Sequence, residues 1–219
     1  MSNFFQRFIN LMIGNFLCAL GIVTTMKANL GFAPWEVFHW GVGKTLGMSI
    51  GHASIIVSLI ISVTVVLLGE KLGLGTILNL ILVGIYIDIF MSINTPQVNG
   101  FFWGIIVMFS GLFIIALGTY FYMNSAFGAG PRDSLMVAIK RRTKLPVGLC
   151  RGILESSVVL TGWILGGPVG IGTLIAAFGM GFCIQIVFSL MKFDSTSVKH
   201  ETLDVTHKKL KALYSRRGA

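Results

Sequence analysis

Two ionisable side chains with the spacing of an ion pair lie inside an apolar stretch of the sequence. Arg151 and Glu155 are four residues apart, which places both on one face of a helix. An ionisable group inside hydrocarbon is energetically costly and is a functional candidate by default. The two side chains can neutralise each other and hold helices together, or they can bind a charged group of a solute.

A motif of the form Gly-x-x-Pro-x-acid occurs twice, from Gly31 to Glu36 and from Gly128 to Asp133. Glycine permits backbone angles that other residues avoid, and proline suits the first position of a helix. An acid in the first helical turn is favoured by the helix dipole. Each motif therefore predicts a chain break followed by a short helix, over about 34–45 and 131–142. The acid either stabilises its helix or faces a binding site.

The residues beside these acids differ between the two copies. Trp35 and Arg132 occupy equivalent positions, which suits a solute with a ring-like end and an anionic end. His39 shares a helix face with Glu36, three positions earlier. A proton-linked pair is one interpretation, but a hydrogen-bonded interfacial histidine beside Trp35 and Trp40, in an aromatic belt, is favoured.

Asp88 is a further intramembrane acid, near the outer end of an apolar run, where it can reach the membrane interface. The sequence has no metal-ligand spacing and no Ser-His-Asp or Cys-His arrangement, so we expect no catalytic residue, metal, cofactor or enzymatic activity. The expected substrate-binding residues are Glu36, Arg132, Asp133, Arg151 and Glu155, with Trp35, His39 and Asp88 as secondary candidates.

The elements that position these side chains are apolar helices of membrane-spanning length. Charged residues make up 11% of the 219 residues and apolar residues 54%, whereas a soluble domain carries roughly 25% charged residues. A run of about 20 apolar residues crosses the hydrocarbon as a helix. The predicted spans are 7–26, 50–69, 73–92, 101–123, 147–166 and 170–191.

The basic residues indicate the orientation of these spans. With the N-terminus inside, nearly all Lys and Arg side chains fall in inner loops or in the polar tail after residue 191, and only Lys27 and Lys44 fall outside. Membrane topology and anionic lipid therefore explain the net charge of +9, and we expect no nucleic-acid partner. The prediction is a multi-pass membrane protein with both termini in the cytoplasm.

An internal repeat relates the two halves at an offset of 97 residues. Eight glycines of the first half recur in the second at this offset, and Gly-x-Gly-Thr recurs at Gly73 and Gly170. Each copy has three spans, so the second must enter the membrane from the opposite side. We therefore predict an all-α, polytopic membrane bundle of six helices in two inverted repeats, each with a short broken or re-entrant helix. The boundaries are 1–95, 96–191 and a basic cytoplasmic tail, 192–219.

The segment from Lys27 to Glu36, with Gly-Leu-Gly-Thr at Gly73 and the later Gly130-Pro131-Arg132-Asp133, resembles the YczE/YyaS/YitT group of bacterial integral membrane proteins. The similarity is greatest to the YczE branch and covers nearly the whole chain apart from the basic tail. This resemblance implies a bacterial inner-membrane location. It supplies no binding or catalytic residues that could be transferred to this sequence.

Inverted repeats favour a transporter or permease for a small solute, with the site between the repeats near the membrane midplane. Such a protein would act alone or as a homodimer in the lipid bilayer. The alternative is an accessory or substrate-capturing membrane subunit that works with a partner membrane protein. A third interpretation is an interaction protein that stabilises or localises another enzyme.

Overall fold

The structure is a computed structural model that describes residues 4–93, 96–194, 198, 201–203 and 205. All regular secondary structure in this part of the chain is α-helical. The eight helices are α1 (Phe4–Lys27), α2 (Pro34–Leu46), α3 (Ile50–Leu67), α4 (Leu74–Ser92), α5 (Phe101–Asn124), α6 (Pro131–Thr143), α7 (Val147–Ile164) and α8 (Ile171–Leu190).

Five helices are long and apolar enough to cross a membrane, namely α1, α3, α4, α5 and α8. Each coincides with a predicted span to within a few residues. The helix α7 covers the remaining predicted span, 147–166, but is not among the five, and it carries the charged side chains of Arg151 and Glu155. The chain is thus a helical membrane protein with several apolar spans, and a sixth span remains a prediction.

The two short helices follow the predicted Gly-x-x-Pro breaks. α2 begins at Pro34 and α6 begins at Pro131, each with an acid in its first turn. Both end in a left-handed residue, Gly47 with φ 67° and Lys144 with φ 59°, which turns the chain directly into the next helix. The predicted bounds of about 34–45 and 131–142 therefore agree with the structure.

The helices of the second half repeat those of the first. Adding 97 to the bounds of α1, α2 and α3 reproduces the bounds of α5, α6 and α7, and α8 begins 97 residues after α4. The short helices pack across the two halves, since α2 contacts α7 and α6 contacts α3. Neither half therefore forms a separate bundle, and the two share one core.

Small residues bring α1 and α5 together at the centre of this core. A Cβ atom at Gly14 would lie 2.9 Å from the Gly118 carbonyl oxygen, and one at Gly111 would lie 2.9 Å from the Gly21 carbonyl oxygen. Gly14 and Gly111 are repeat equivalents, as are Gly21 and Gly118. The contact between α1 and α5 is therefore nearly two-fold symmetric, and any larger side chain would separate the helices.

Each chain break packs against the Gly-x-Gly-Thr motif of the other half. Gly31 has φ 99° and Gly128 has φ 127°, values that favour glycine. The backbone N–H of Gly172 donates to the Leu30 carbonyl oxygen at 2.7 Å, and that of Gly75 donates to Phe127 at 2.8 Å. Backbone groups released by the breaks thus find partners inside the protein, as a membrane interior requires.

The pairs α3–α4 and α7–α8 are equivalent in sequence but differ in packing. A Cβ at Gly84 would lie 2.7 Å from the Gly51 carbonyl oxygen, so α3 and α4 are in close contact. Their equivalents, Gly181 and Gly148, have no heavy atom of the described chain within 4 Å of a Cβ placed there. α7 and α8 lack contacts like those between α3 and α4. The second half is therefore open where the first half is sealed.

Charged loops assemble at one end of the bundle. Arg7 pairs with Glu201 at 2.7 Å, Arg141 pairs with Glu70 at 2.9 Å, and the backbone N–H of Leu203 donates to Leu72. All of these residues belong to the segments predicted to be inside. Most of the predicted basic tail, including Lys199, Lys208, Lys209, Lys211, Arg216 and Arg217, lies outside the described residues.

Candidate functional site

A cavity of about 230 Å³ lies at the centre of the bundle, between the two halves. Its lining includes Trp35 from α2 and residues 130–133 at the start of α6, so both chain breaks contribute to one cavity. Six pairs of repeat-equivalent positions line it: Cys18 and Ile115, Ile22 and Thr119, Trp35 and Arg132, Ser54 and Arg151, Ser58 and Glu155, Val83 and Met180. Both halves therefore contribute sequence-equivalent positions to the lining of the cavity.

Arg132 connects the two short helices. Its Nη2 donates to Glu36 Oε1 at 3.2 Å, and its guanidinium carbon lies 4.9 Å from the centre of the Trp35 ring. Glu36 is only 4% exposed, so the pair is well shielded on the α2 side. A guanidinium that is hydrogen-bonded to a buried carboxylate and stacked on an indole ring is held in one orientation. The two residues that sequence equivalence relates, Trp35 and Arg132, are thus in direct contact.

His39 is fully buried, and its Nδ1 lies 3.5 Å from Arg132 Nη2. The favoured interpretation of His39 as an interfacial residue of an aromatic belt is therefore wrong. The reason is the packing of α2 against α3 and α7, which turns the shared face of Glu36 and His39 inwards. Trp40, one position further along the helix, is partly exposed, as expected for the belt.

The predicted ion pair in α7 is present. Arg151 Nε donates to Glu155 Oε1 at 2.7 Å, and both side chains line the central cavity. The Arg151 side chain is 43% exposed and that of Glu155 18% exposed. Ser54 and Ser58, their equivalents in α3, line the same cavity without charge. Charge is therefore confined to the wall formed by the second half.

Asp133 lies at a polar corner of the cavity that sequence reasoning did not identify. A Cβ atom built at Gly130 would lie 3.5 Å from Asp133 Oδ2, 3.6 Å from Tyr122 Oη and 3.8 Å from Asn79 Oδ1. The Asn79 side-chain amide donates to Asn15 Oδ1 at 2.8 Å. Two asparagines within apolar helices were the available signal, because polar side chains in spans are rare and mark functional positions.

Asp88 lies away from this cavity, in a second cavity of about 760 Å³ beside the start of α3. Its carboxylate accepts from the Gly51 backbone N–H at 2.8 Å and lies 2.9 Å from His52 Nδ1. Asp88 of α4 is therefore paired with His52 in the first turn of α3. Asp88 holds the end of α4 against the first turn of α3, which identifies it as a residue of the α3–α4 contact.

Among the described residues, no group of three His, Cys, Asp or Glu side chains is arranged to hold a metal ion. The central cavity instead combines two guanidinium groups, each with a carboxylate partner, with a predominantly apolar wall. Such a lining can bind a small polar solute through charge-assisted hydrogen bonds while the apolar side chains contact its carbon skeleton.

The fold and this central cavity define an integral, multi-pass helical membrane protein, and sequence comparison agrees. The chain belongs to the family described as "Family of unknown function (DUF6198)", whose model matches residues 5–189. It is 34% identical to the "Uncharacterized membrane protein YczE" of Bacillus subtilis over 81% of this chain and 82% of that protein.

Two further relatives extend the comparison. The chain is 33% identical to an "Uncharacterized protein" of Haemophilus influenzae, over 80% of each chain. It is 27% identical to the "Uncharacterized protein YyaS" of Bacillus subtilis, over 82% of this chain and 91% of that one. The resemblance to the YczE and YyaS group is therefore confirmed. No solved structure matches the chain.

Proposed function

We propose that this protein is a small-solute transporter of the bacterial inner membrane, with its substrate site in the central cavity between two inverted repeats. Both termini lie in the cytoplasm, and the protein has no enzymatic activity. Arg132, Asp133, Arg151 and Glu155 form the polar wall of the site, and Glu36 takes part through its ion pair with Arg132. Among repeat-built membrane proteins, a cavity on the repeat axis is the position at which transporters hold their solute.

One observation supports this proposal most directly. The helices α3 and α4 of the first half are in close contact, whereas their equivalents in the second half, α7 and α8, are apart. Alternating access requires two barriers, of which only one is closed at a time. In inverted repeats, the barrier on one side is the symmetry equivalent of the barrier on the other. The contact of Gly51 with Gly84 supplies the closed barrier, and the separation of Gly148 from Gly181 supplies the open one.

The repeat also indicates what the other conformation looks like. When α7 approaches α8, Gly148 and Gly181 make the contact that Gly51 and Gly84 make here, and α3 leaves α4. The central contact of α1 with α5 is already nearly symmetric and does not need to change. The cavity is then exposed on the opposite side of the membrane, while the polar side chains remain around the solute.

Spin-label distances can test this exchange without knowledge of the solute. Labels on the exposed positions Ile56 and Ile81 measure the α3–α4 distance, and labels on their equivalents, Ile153 and Phe178, measure the α7–α8 distance. Both pairs are placed in a protein without native cysteines, reconstituted in liposomes. We expect a short distance for the first pair with a longer one for the second, and a second population in which the order is reversed.

A matched variant makes the test stricter. Gly148→Ala places a methyl group where α7 must meet α8, so the reversed population should disappear while the resting distances remain. A single fixed distance for each pair under all conditions would contradict transport by alternating access. Such a result, together with a reproducible stoichiometric partner on purification, would instead favour the accessory-subunit interpretation.

A further inference from the structure

The polar corner of the cavity identifies the charge of the solute. We propose that Asp133, Tyr122 and Asn79 bind a protonated primary amine, so that the substrate is a small organic ammonium compound. This inference rests on the proposed function and names the substrate class of the same site.

Three side-chain oxygen atoms from three helices lie beside the backbone of Gly130. Asp133 Oδ2, Tyr122 Oη and Asn79 Oδ1 lie 3.5–3.8 Å from the position that a Cβ at Gly130 would occupy. They come from α6, α5 and α4. Because residue 130 is a glycine, no side chain of its own enters the space between them. An ammonium group has three N–H donors on one nitrogen, and a carboxylate, a tyrosine hydroxyl and an amide oxygen can each accept from one of them.

Tyr122 provides an independent sign that a ligand belongs here. The residue is 4% exposed and lines the cavity, yet its hydroxyl has no hydrogen-bond partner among the described residues. A buried hydroxyl without a partner is unfavourable by about 1–3 kcal/mol, and proteins retain such groups mainly at functional positions. A bound ammonium group supplies the missing hydrogen bond.

The formal charge of the site also favours a cation. The five ionisable residues of the site comprise two arginines and three acids, so their formal charges total −1. Each arginine has a carboxylate within 3.2 Å, from Glu36 or from Glu155. A cationic solute leaves both of these pairs intact.

The equivalent corner of the first half serves as an internal control. There Thr25 replaces Tyr122, Ala176 replaces Asn79, and Ala33 replaces Gly130. All three are buried, and the Thr25 hydroxyl already donates to the Ile22 carbonyl oxygen at 2.7 Å. That corner has no unpartnered hydroxyl among the described residues and no counterpart of the Tyr122 and Asn79 oxygens, so we expect no amine binding there.

Three probes with the same carbon skeleton separate charge from apolar contact. Purified full-length protein in lipid nanodiscs is titrated by calorimetry with 2-phenylethylamine, 2-phenylethanol and phenylacetate. We expect saturable binding of the amine only. Asp133→Asn should weaken it about ten-fold or more and Tyr122→Phe about two- to ten-fold, according to the usual strengths of charged and neutral hydrogen bonds. Thr25→Val, in the equivalent corner, should leave the affinity unchanged.

Several outcomes would overturn the assignment. Equal binding of all three probes would mean that only the apolar wall is recognised, and no amine binding at millimolar concentration would exclude an ammonium site. A sodium-dependent increase in melting temperature, lost in Asp133→Asn and without amine binding, would identify an alkali-ion site instead. If Asp133→Asn does not fold, Tyr122→Phe decides the question alone.

Binding in nanodiscs does not require the helices to exchange. Amine binding with fixed spin-label distances would therefore disprove the transporter and keep this inference. Two populations of spin-label distances without amine binding would support the transporter and disprove the ammonium site.

Discussion

Alanine at Gly51 and at its repeat equivalent Gly148 should affect stability very differently. Both glycines are the second residue of an 18-residue helix, α3 or α7. The intrinsic gain from replacing a helical glycine by alanine, at most about 1 kcal/mol, is therefore similar at the two sites. The difference between the two variants then reports the tertiary contact alone.

The structure sets the size of that difference. A Cβ at Gly51 would lie 2.6 Å from Asp88 Oδ1 and closer still to the Gly84 carbonyl oxygen, so α4 must move. Overpacking of this kind costs about 1–3 kcal/mol. A Cβ at Gly148 meets no described heavy atom within 4 Å. We expect Gly51→Ala to be less stable than Gly148→Ala by about 1–3 kcal/mol.

Equilibrium unfolding in mixed micelles with increasing sodium dodecyl sulfate measures both variants against the wild-type protein. Gly84→Ala and Gly181→Ala repeat the comparison on the partner helices α4 and α8, and the same order is expected. Equal losses of stability at the two positions would refute the reasoning, because they would mean that α7 and α8 are packed as closely as α3 and α4.

Three further outcomes test other parts of the molecule. Cysteine introduced at Asn99 should react with an impermeant maleimide added to intact cells, and cysteine at Lys140 should not, because basic loops stay inside. Glu36→Gln should lower the free energy of unfolding by about 3 kcal/mol. This is the lower end of the range for breaking a buried ion pair, because the Arg132 side chain is 30% exposed. Glu155→Gln should cost at most about 1 kcal/mol because Arg151 is 43% exposed, and changing both residues to Ser should be milder.

Each of these has a clear contrary result. Labelling at position 140 but not at position 99 from outside would reverse the predicted topology and place both termini outside. Wild-type stability of Glu36→Gln in micelle unfolding would show that its carboxylate is solvated. A double serine variant less stable than Glu155→Gln would show that the Arg151 side chain stabilises the fold through packing in addition to its charge.

The sequence alone predicts the local structure because local rules determine it. An apolar run of about 20 residues crosses the hydrocarbon as a helix, because a helix satisfies its own backbone hydrogen bonds. The apolar runs therefore indicate where the helices lie. The breaks at Pro34 and Pro131 follow from the conformational preferences of Gly and Pro. The ion pair of Arg151 with Glu155 depends only on a spacing of four residues within one helix. Each feature involves residues close together in the chain.

Tertiary structure alone decides which distant residues meet. Glu36 and Arg132 are 96 residues apart in sequence, and His39 is buried only because α2 packs across the other half. The convergence of Asn79, Tyr122 and Asp133 likewise needs three helices in one arrangement.

The open and sealed helix pairs show this limit most directly. Gly51 with Gly84 and Gly148 with Gly181 have the same residue types at the same spacing. Only the first pair is in contact. A repeat determines that two halves can adopt the same packing, but it does not determine which half does so in the folded molecule. Which half is sealed depends on contacts between helices, such as that of Asp88 with the first turn of α3, and these contacts exist only in the folded bundle.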